Sequence, residues 1–256
     1  MLLINNLTIK YGTKTIIDNV SLELKSNEIV ALLGLNGSGK TTLLKGLCGL
    51  LPISNGEILI NDNNKIISLT KANEKQRANY ISFIPQRHSK LIGVTVINAV
   101  LMGLNARLGI FEQPTADDKK LTLEALEKMN IQHLANDVFS ELSEGQKQLV
   151  VLARTLVQNT PVMLMDEPDS ALDFSNTHSA LSNIRKLVHN ENKTCLITLH
   201  DPNLALSYCD RIILIDKGKI VSELLLKETS RDDITSCLSK VYKYLIWGEQ
   251  LTSQIV

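Results

Sequence analysis

The order of apolar and polar residues predicts two kinds of β-strand in the first part of the chain. In LLINNLTIKYG, near the start, and again in NVSLELK (residues 19–25), apolar and polar residues alternate. Alternation with a period of two is typical of strands that are buried on one face only, as in antiparallel sheets. We therefore expect an antiparallel β-sheet at the amino-terminal end of the chain.

The segment EIVALLG (28–34) has a different pattern, a continuous apolar run. Such a run indicates a strand that is buried on both faces. Four further segments have the same pattern: YISFI (80–84), VMLM (162–165), CLITL (195–199) and RIILI (211–215). Because helix-like segments lie between most of these runs, the pattern predicts an α/β fold in which helices cover a parallel sheet.

Strand signals fade between Gln86 and Thr160, where apolar residues take up helical spacing. In DDKKLTLEALEKM (117–129) the predicted apolar face of a helix consists of Leu121, Ala125, Leu126 and Met129. Asp117 and Asp118 suit the first turn, since negative charge is stabilised at a helix amino terminus. The region is predicted to be a helical insertion between two strands of the sheet.

Composition and charge limit the possible partners. The 27 basic residues balance the 27 acidic ones, so no overall field favours nucleic acid or an anionic membrane, and phosphate binding requires a local site. The amino terminus lacks the pattern of a signal peptide, and the apolar stretch 91–104 is shorter than the roughly 18 residues that span a bilayer. The four cysteines show no CxxC spacing, which fits a reducing cytoplasm.

A glycine-rich segment follows the first buried run and precedes a helical pattern. It contains the spacing Gly34-x-x-x-x-Gly39-Lys40-Thr41 of a phosphate-binding loop, in the strand–loop–helix context that this motif requires. Its glycines allow successive backbone N–H groups to converge on phosphates. The candidate nucleotide-binding residues are Gly34, Asn36, Gly37, Ser38, Gly39, Lys40, Thr41 and Thr42.

Three residues of this loop have expected roles. Lys40 would contact the β- and γ-phosphates, and the Thr41 hydroxyl would hold Mg²⁺. Thr42 adds a donor at the helix amino terminus, where the helix dipole favours anions. The alternative is a glycine-rich turn that binds nothing.

A second site signal is the acidic pair in VMLMDEP (162–168). The buried run delivers Asp166 and Glu167 at the carboxyl end of a strand, where α/β sheets bind ligands. Asp166 is placed to bind Mg²⁺ directly or through water, and Glu167 to polarise an attacking water. The alternative is a pair of solvated turn residues beside a proline.

With these motifs the chain resembles the ATP-binding cassette (ABC) family. The phosphate loop, LSEGQ (142–146), MDEP (165–168) and His200 follow one another in the order of that family. The resemblance implies a P-loop NTPase (RecA-like) core with an amino-terminal antiparallel β subdomain and an inserted helical subdomain. It also implies a head-to-tail homodimer, in which the signature segment (142–146) of one subunit closes over the γ-phosphate held by the other.

The signature segment is similar to the usual Leu-Ser-Gly-Gly-Gln, which assigns Ser143, Gly145 and Gln146 to nucleotide contact. Ser143 and the Gly145 amide would cap the following helix and offer donors and a positive dipole end to an anion. Glu144 departs from the usual glycine. Because a carboxylate aimed at a γ-phosphate would be repelled, we expect its side chain to point away.

Four more assignments rest on the resemblance alone. Tyr11 resembles the aromatic residue that stacks on adenine, and Gln86 the glutamine that reaches Mg²⁺ and water. SALD, ending at Asp173, resembles a loop that communicates across the dimer, and His200 matches the histidine that contacts the γ-phosphate. ATP and Mg²⁺ are thus the expected ligands, with Glu167, His200 and Gln86 as catalytic residues. The alternative for Tyr11 is an ordinary surface residue, and the alternative for His200 is a structural histidine.

The resemblance also divides the chain into parts of a single ATPase domain. Residues 1–86 and 160–220 are expected to form the nucleotide-binding core with its β subdomain, and residues 87–159 the helical subdomain with the signature segment. Residues 221–256 would be a short tail, too small for a separate regulatory domain.

Segments between Gln86 and Arg211 are similar to the import ATPases for iron–siderophore complexes, haem and cobalamin. This implies an importer ATPase on the cytoplasmic side of the inner membrane, with two permease subunits and an external solute-binding protein as partners. In 91–104, an ordinary buried helix and a surface near the groove for a permease helix are both open. Importers of molybdate or another oxyanion, and a soluble ATPase of cofactor or cluster assembly, are the alternative functions.

Overall fold

A computed structural model describes residues 1–62, 65–86, 91–108, 112–170 and 172–242. Within these ranges the strands are β1 Leu2–Tyr11, β2 Lys14–Leu24, β3 Glu28–Leu33, β4 Asn55–Asp62, β5 Lys65–Ser68, β6 Ile81–Ile84, β7 Val162–Asp166, β8 Thr194–Thr198, β9 Arg211–Asp216 and β10 Lys219–Leu225. The α-helices are α1 Lys40–Leu47, α2 Glu74–Ala78, α3 Val96–Leu101, α4 Ala116–Lys128, α5 Glu144–Gln158, α6 Phe174–Asn190, α7 Pro202–Tyr208 and α8 Arg231–Leu238. The strands form two sheets, in the orders β2-β1-β4-β5 and β10-β9-β3-β8-β7-β6.

The four-stranded sheet is antiparallel, as the alternating pattern predicts. Along β1, Ile4 and Leu7 are both buried although they are three residues apart, which breaks the period of two. The pairing of β1 with β2 is irregular between these residues, and Asn6 has a left-handed backbone with φ 50°. This bulge returns the apolar residues that follow to the core face of the strand.

All five continuous apolar runs form strands of the six-stranded sheet. The strands β6, β7, β8, β3 and β9 are parallel neighbours, and β10 adds an antiparallel edge. β3, β7 and β8 are buried throughout because the antiparallel sheet and α1 cover one face and helices α5 to α8 cover the other. The carboxyl ends of the parallel strands therefore share one open edge, which is where ligands bind in such sheets.

The segment between β6 and β7 builds a separate helical layer with its own apolar core, which includes Val100, Leu126 and Val157. The helix that the pattern predicts over 117–129 is α4, and a capping box between Thr115 and Asp118 begins it. This confirms the helical insertion, since α3, α4 and α5 contact one another through that core.

One residue of the expected apolar face of α4 is wrong. Leu121 is 39% exposed, whereas its neighbour Thr122 is fully buried. The Thr122 hydroxyl donates to the carbonyl oxygen of Asp118 at 2.8 Å. Because this bond satisfies the hydroxyl inside the helix, threonine can take the core position without an unpaired polar group.

The stretch 91–104 is only partly helical. α3 covers Val96–Leu101, and a 3₁₀ turn follows at Met102–Ala106. Val96 and Val100 are buried in the helical core, while Ile92 is 82% exposed. The segment therefore contributes an inner face to the core and leaves an outer face in contact with solvent.

At the carboxyl-terminal end, β10 continues to Leu225, so the first residues of the expected tail (221–256) belong to a strand of the six-stranded sheet. Ile234 and Leu238 of α8 pack into the core of the six-stranded sheet. His88, which we expect at the surface, and Trp247, which we expect to pack within the tail, lie outside the described residues. In the ranges that the structure describes, no helix is both long and apolar enough to cross a membrane.

Candidate active site

The phosphate loop joins the carboxyl end of β3 to the amino terminus of α1. A Cβ atom on Gly34 would lie 2.3 Å from the carbonyl oxygen of Ile215 and 2.6 Å from Ser38 Oγ, so only glycine fits there. Gly39 is the N-cap of α1 with φ 109°, a left-handed conformation that glycine adopts freely. The first N–H groups of α1 have no partners within the helix, which makes them available to an anion.

Lys40 is buried although it carries a charged group. Its Nζ donates to the carbonyl oxygens of Gly34 at 2.8 Å and Leu35 at 3.4 Å, so the side chain folds back along the loop. Burial lowers the pKa of Lys40, and the carboxylates of Glu167 and Asp166 oppose this effect. An anionic ligand in the loop would offset the cost of burying the ammonium group.

A buried hydroxyl in the loop fits the same ligand. Ser38 Oγ is enclosed and has no hydrogen-bond partner within the described part of the chain. Buried polar groups without a protein partner are rare, and a phosphate oxygen would satisfy this one. The loop thus combines a buried cation, a free hydroxyl and helix N–H groups, which together suit a nucleotide phosphate.

Asp166 ends β7 and lies opposite Thr41 in the first turn of α1. Its Oδ1 accepts hydrogen bonds from Thr41 Oγ1 at 3.1 Å and from Thr198 Oγ1 at 2.9 Å. A hydroxyl beside a carboxylate offers the oxygen ligands that Mg²⁺ prefers, directly or through water. The residues present therefore fit a magnesium ion beside the phosphate loop.

Glu167 connects three strand ends. Its Oε2 accepts from Gln86 Nε2 at 2.5 Å, and its Oε1 lies 2.7 Å from His200 Nε2. Gln86 follows β6, Glu167 follows β7 and His200 follows β8, so the parallel register brings the three together. Glu167 is 11% exposed at its side chain and His200 is 45% exposed, which leaves the cluster open on the histidine side.

The backbone of Glu167 is unusual. Its φ is 49°, in the left-handed region that a residue with a side chain adopts at a cost of about 1–3 kcal/mol. Its N–H donates to Thr198 Oγ1 at 2.8 Å. Such conformations persist where the surrounding structure determines them, and they are concentrated at functional sites.

Two site residues were not predicted from the sequence. Thr198 binds both members of the acidic pair, and a hydroxyl two residues before His200 in a buried strand was the available signal. Asp169 lies near His200, and burial raises the pKa of its carboxyl, while the His200 charge acts in the opposite direction. Its only sequence signal was a third acid in DEPD.

The signature segment begins α5. Ser143 is the N-cap: its Oγ accepts from Gln146 N at 3.3 Å, while Gln146 Oε1 accepts from Ser143 N at 2.9 Å. Glu144 forms an ion pair with Lys147 at 2.7 Å, so its carboxylate is turned along its own helix. A Cβ atom on Gly145 would come within 3.0 Å of Asn176 Oδ1, so the start of α5 lies against the start of α6.

Asp173 is the N-cap of α6, and its carboxylate accepts from both the backbone and the side-chain nitrogen of Asn176. Tyr11 ends β1 and is 52% exposed. Ala171, in the segment SALD, lies outside the described residues. Across the described ranges, no hydrogen bond or ion pair joins Tyr11, Asp173 or the signature segment to the cluster of Gln86, Glu167 and His200.

Known proteins resemble this chain over most of its length. A family model described as ABC transporter matches residues 17–170. The hemin import ATP-binding protein HmuV of Shewanella denitrificans is 36% identical over 249 residues, which cover 95% of this chain and 94% of that protein.

Two solved structures show the same fold. One, described as a metal-chelate type ABC transporter in an inward-facing conformation, has a TM-score of 0.77 and 29% identity, covering 93% of this chain and 88% of that one. The other, a dimeric bacterial ABC transporter cassette, has a TM-score of 0.75 and 29% identity, covering 88% of this chain and 99% of that one. The predicted fold, a P-loop NTPase core with an antiparallel β subdomain and a helical insertion, is confirmed.

Proposed function

Because this chain belongs to the ABC transporter family, we propose that it is the ATP-hydrolysing subunit of an importer that takes up a metal chelate of the iron–siderophore, haem or cobalamin type. The hemin import relative, similar over nearly the whole chain, and the metal-chelate type transporter structure support this class of cargo. The observation that carries the activity is the meeting of Gln86, Glu167 and His200 beside the phosphate loop.

In the proposed mechanism the loop holds the phosphates and the strand ends supply the chemistry. Lys40 and the N–H groups of α1 bind the β- and γ-phosphates, while Thr41 and Asp166 would hold Mg²⁺. The ion, when bound there, neutralises charge on the phosphate oxygens. Glu167 orients and polarises the attacking water, and His200 contacts the γ-phosphate while fixing the Glu167 carboxylate.

Gln86 can serve both the metal and the base. Its Nε2 already donates to Glu167 Oε2, and its amide oxygen is a further ligand of the kind Mg²⁺ accepts. We assign Gln86 to coupling these two parts of the site. The Gln86 side chain would then connect the magnesium site to the Glu167 carboxylate.

Within the described residues, no hydrogen bond or ion pair joins the signature segment to the cluster of Gln86, Glu167 and His200 in its own chain, which supports a dimer. The segment presents Ser143 and the amino terminus of α5 to the outside, as an anion-binding helix end would. In a head-to-tail homodimer, Ser143, Gly145 and Gln146 would close over the partner's nucleotide. Asp173 would lie across the interface and Tyr11 would stack on adenine. The dimeric cassette of similar fold supports this assembly.

A cleft on the helical side is a candidate surface for the permease. A cavity of about 490 Å³ lies between Lys75 and the outer face of α3 and the turn after it, lined by Leu101, Met102, Asn105 and Leu108 among others. Lys75 also lines a larger cleft of about 980 Å³ beside α2. Grooves with apolar side chains accept amphipathic helices, so we propose that a cytoplasmic helix of a permease binds here.

In the proposed assembly, two copies of this chain would lie at the cytoplasmic face of the inner membrane as peripheral subunits. They would bind two transmembrane permease subunits, and an external solute-binding protein would deliver the cargo. Recovery of a polytopic permease with the tagged protein from solubilised membranes supports this assembly. Recovery of soluble partners alone would favour an ATPase of cofactor or cluster assembly.

The cargo can be tested in vesicles that contain the reconstituted complex. Uptake driven by ATP is measured for a ferric siderophore, haem, cobalamin and molybdate under identical conditions. We expect transport of one of the chelates and none of molybdate. Transport of molybdate alone would show that the cargo is an oxyanion and not a metal chelate.

The catalytic assignment is tested by Glu167→Gln, which keeps the shape of the side chain and removes its charge. ATP affinity should persist, while turnover falls by about 10²- to 10⁴-fold because the base is lost. An ATP-bound dimer should accumulate in size-exclusion chromatography. Glu124→Gln, at an exposed position of α4, is the matched control and should hydrolyse ATP normally. Normal turnover of Glu167→Gln would remove Glu167 from its proposed role.

A further inference from the structure

Thr198 is a buried polar residue at the end of β8, beside the acidic pair. It is the last residue of β8 and fully buried, and its Cα is paired with Asp166 on β7. Leu196 and Leu199, near it in sequence, are also fully buried but have apolar side chains. A valine would fill the same volume in this strand, so packing alone does not require a hydroxyl at this position.

The hydroxyl of Thr198 binds both residues of the acidic pair at once. It donates to Asp166 Oδ1 at 2.9 Å and accepts from the backbone N–H of Glu167 at 2.8 Å. A hydroxyl has one hydrogen to donate, and here that hydrogen points at the Asp166 carboxylate. The orientation of one residue is thereby linked to the backbone of the next.

Both contacts lie where position matters for the reaction. Asp166 Oδ1 also accepts from Thr41, so Thr198 fixes the carboxylate that faces the expected metal position. The N–H of Glu167 belongs to a residue with φ 49°, a strained conformation that directs its side chain toward Gln86 and His200. The Thr198 bond is one of the interactions that hold this conformation in place.

We propose that Thr198 is a positioning residue for ATP hydrolysis, acting through Asp166 and Glu167 without contact to the nucleotide. The inference rests on the proposed catalytic role of Glu167. Without the hydroxyl, Glu167 can relax from its left-handed backbone and the Asp166 carboxylate can rotate. A catalytic group displaced by about 1 Å loses on the order of 10²-fold in rate.

Two variants separate positioning from simple stabilisation. Thr198→Val keeps the shape and removes the hydroxyl, whereas Thr198→Ser restores the hydroxyl with one methyl group fewer. For Thr198→Val we expect kcat to fall about 10- to 100-fold, while KM for ATP changes less than about threefold, because the phosphate loop is untouched. Thr198→Ser should recover most of kcat.

Thr194→Val is the matched control on the same strand. Thr194 is also buried, and its hydroxyl donates to the carbonyl oxygen of Lys25 at 2.8 Å, at the other end of β8. Thr194→Val removes a partly buried hydrogen bond of similar length at the end of β8 away from the acidic pair. We expect Thr194→Val to lower the melting temperature and to leave kcat within twofold of the unchanged protein.

The proposal is overturned if Thr198→Val retains kcat within twofold, or if Thr198→Ser is as slow as Thr198→Val. It is also overturned if Thr194→Val reduces kcat as much as Thr198→Val does. A double-mutant cycle with Glu167→Gln gives an independent reading, since Thr198→Val should cost little further turnover once the base is gone. Normal turnover of Glu167→Gln itself would overturn the proposed function, whereas slow Glu167→Gln beside normal Thr198→Val would overturn only the role of Thr198.

Discussion

The substitution Gly34→Ala tests whether the phosphate loop acts through its backbone geometry. The added Cβ atom would lie 2.3 Å from the carbonyl oxygen of Ile215, while real Cβ contacts essentially never fall below 3.0 Å. The loop or the end of β9 must therefore move by at least about 0.7 Å, because neither contact partner is the flexible end of a long side chain.

The size of the effect follows from that displacement. Overpacking of a closely packed site costs about 1–3 kcal/mol of stability. A shift approaching 1 Å in the loop that holds the phosphates should lower kcat/KM for ATP by on the order of 10²-fold. ATP affinity should fall as well, since the N–H groups of α1 and Lys40 would no longer converge on the same phosphates.

The control is Gly46→Ala, near the other end of α1. There the Cβ atom would lie 2.3 Å from the tip of the buried Ile9 side chain, so the strain falls on the core between α1 and β1 and not on the phosphate loop. Binding of a fluorescent ATP analogue, steady-state ATPase rate and thermal unfolding are measured for both variants. We expect a similar loss of stability in both and a loss of ATP binding in Gly34→Ala only. Unchanged ATP binding by folded Gly34→Ala would refute the geometric reasoning.

Three further predictions can be checked on the purified protein. Lys40→Ala should weaken ATP binding at least about tenfold in isothermal titration because a charge-assisted contact is lost, whereas Lys45→Ala on the same helix should bind normally. Glu144→Gly should leave ATP-dependent dimerisation intact or stronger in size-exclusion chromatography, since Glu144 pairs with Lys147 of its own helix; a large loss of ATPase activity would contradict this. Burial raises the pKa of Cys195 to about 12, so its thiol stays protonated at pH 8, and mass spectrometry should find it alkylated only after unfolding.

The strands of the six-stranded sheet could be predicted because burial on both faces requires a continuous run of apolar residues. The run 29–33 within β3 contains no polar residue, and all five apolar runs became strands. The bulge of β1 at Asn6 and the exposure of Leu121 could not be predicted in the same way. Both depend on local hydrogen bonding or pairing that changes which residue faces the core.

The residues of the candidate site also differ in how well the sequence predicts them. The phosphate loop and the pair Asp166 and Glu167 lie in contiguous motifs, so they can be recognised from residue types and spacing alone. Thr198 and Asp169 belong to no motif that the sequence shows. Thr198 lies beside Asp166 because of the register between β7 and β8. Nor does the sequence show that Glu167 has a left-handed backbone, because that conformation is imposed by tertiary contacts.

The contacts of Glu167 give the site its most specific feature. Gln86 and His200 come from segments more than a hundred residues apart in the chain, yet both bind the same carboxylate. The resemblance to the ABC family assigned the three residues separately, and the structure adds that they form one connected cluster. A change in any one of them is therefore expected to disturb the other two.

Each chain is expected to complete the nucleotide site of another, and mixing two inactive variants tests this directly. Two inactive variants, Lys40→Ala and Ser143→Arg, are mixed in equal amounts, and ATP hydrolysis is measured against each variant alone. In a head-to-tail dimer half of the pairs contain both variants, and each such pair has one intact site, so the mixture should recover about a quarter of the full activity. A mixture as inactive as its two components would contradict the shared site.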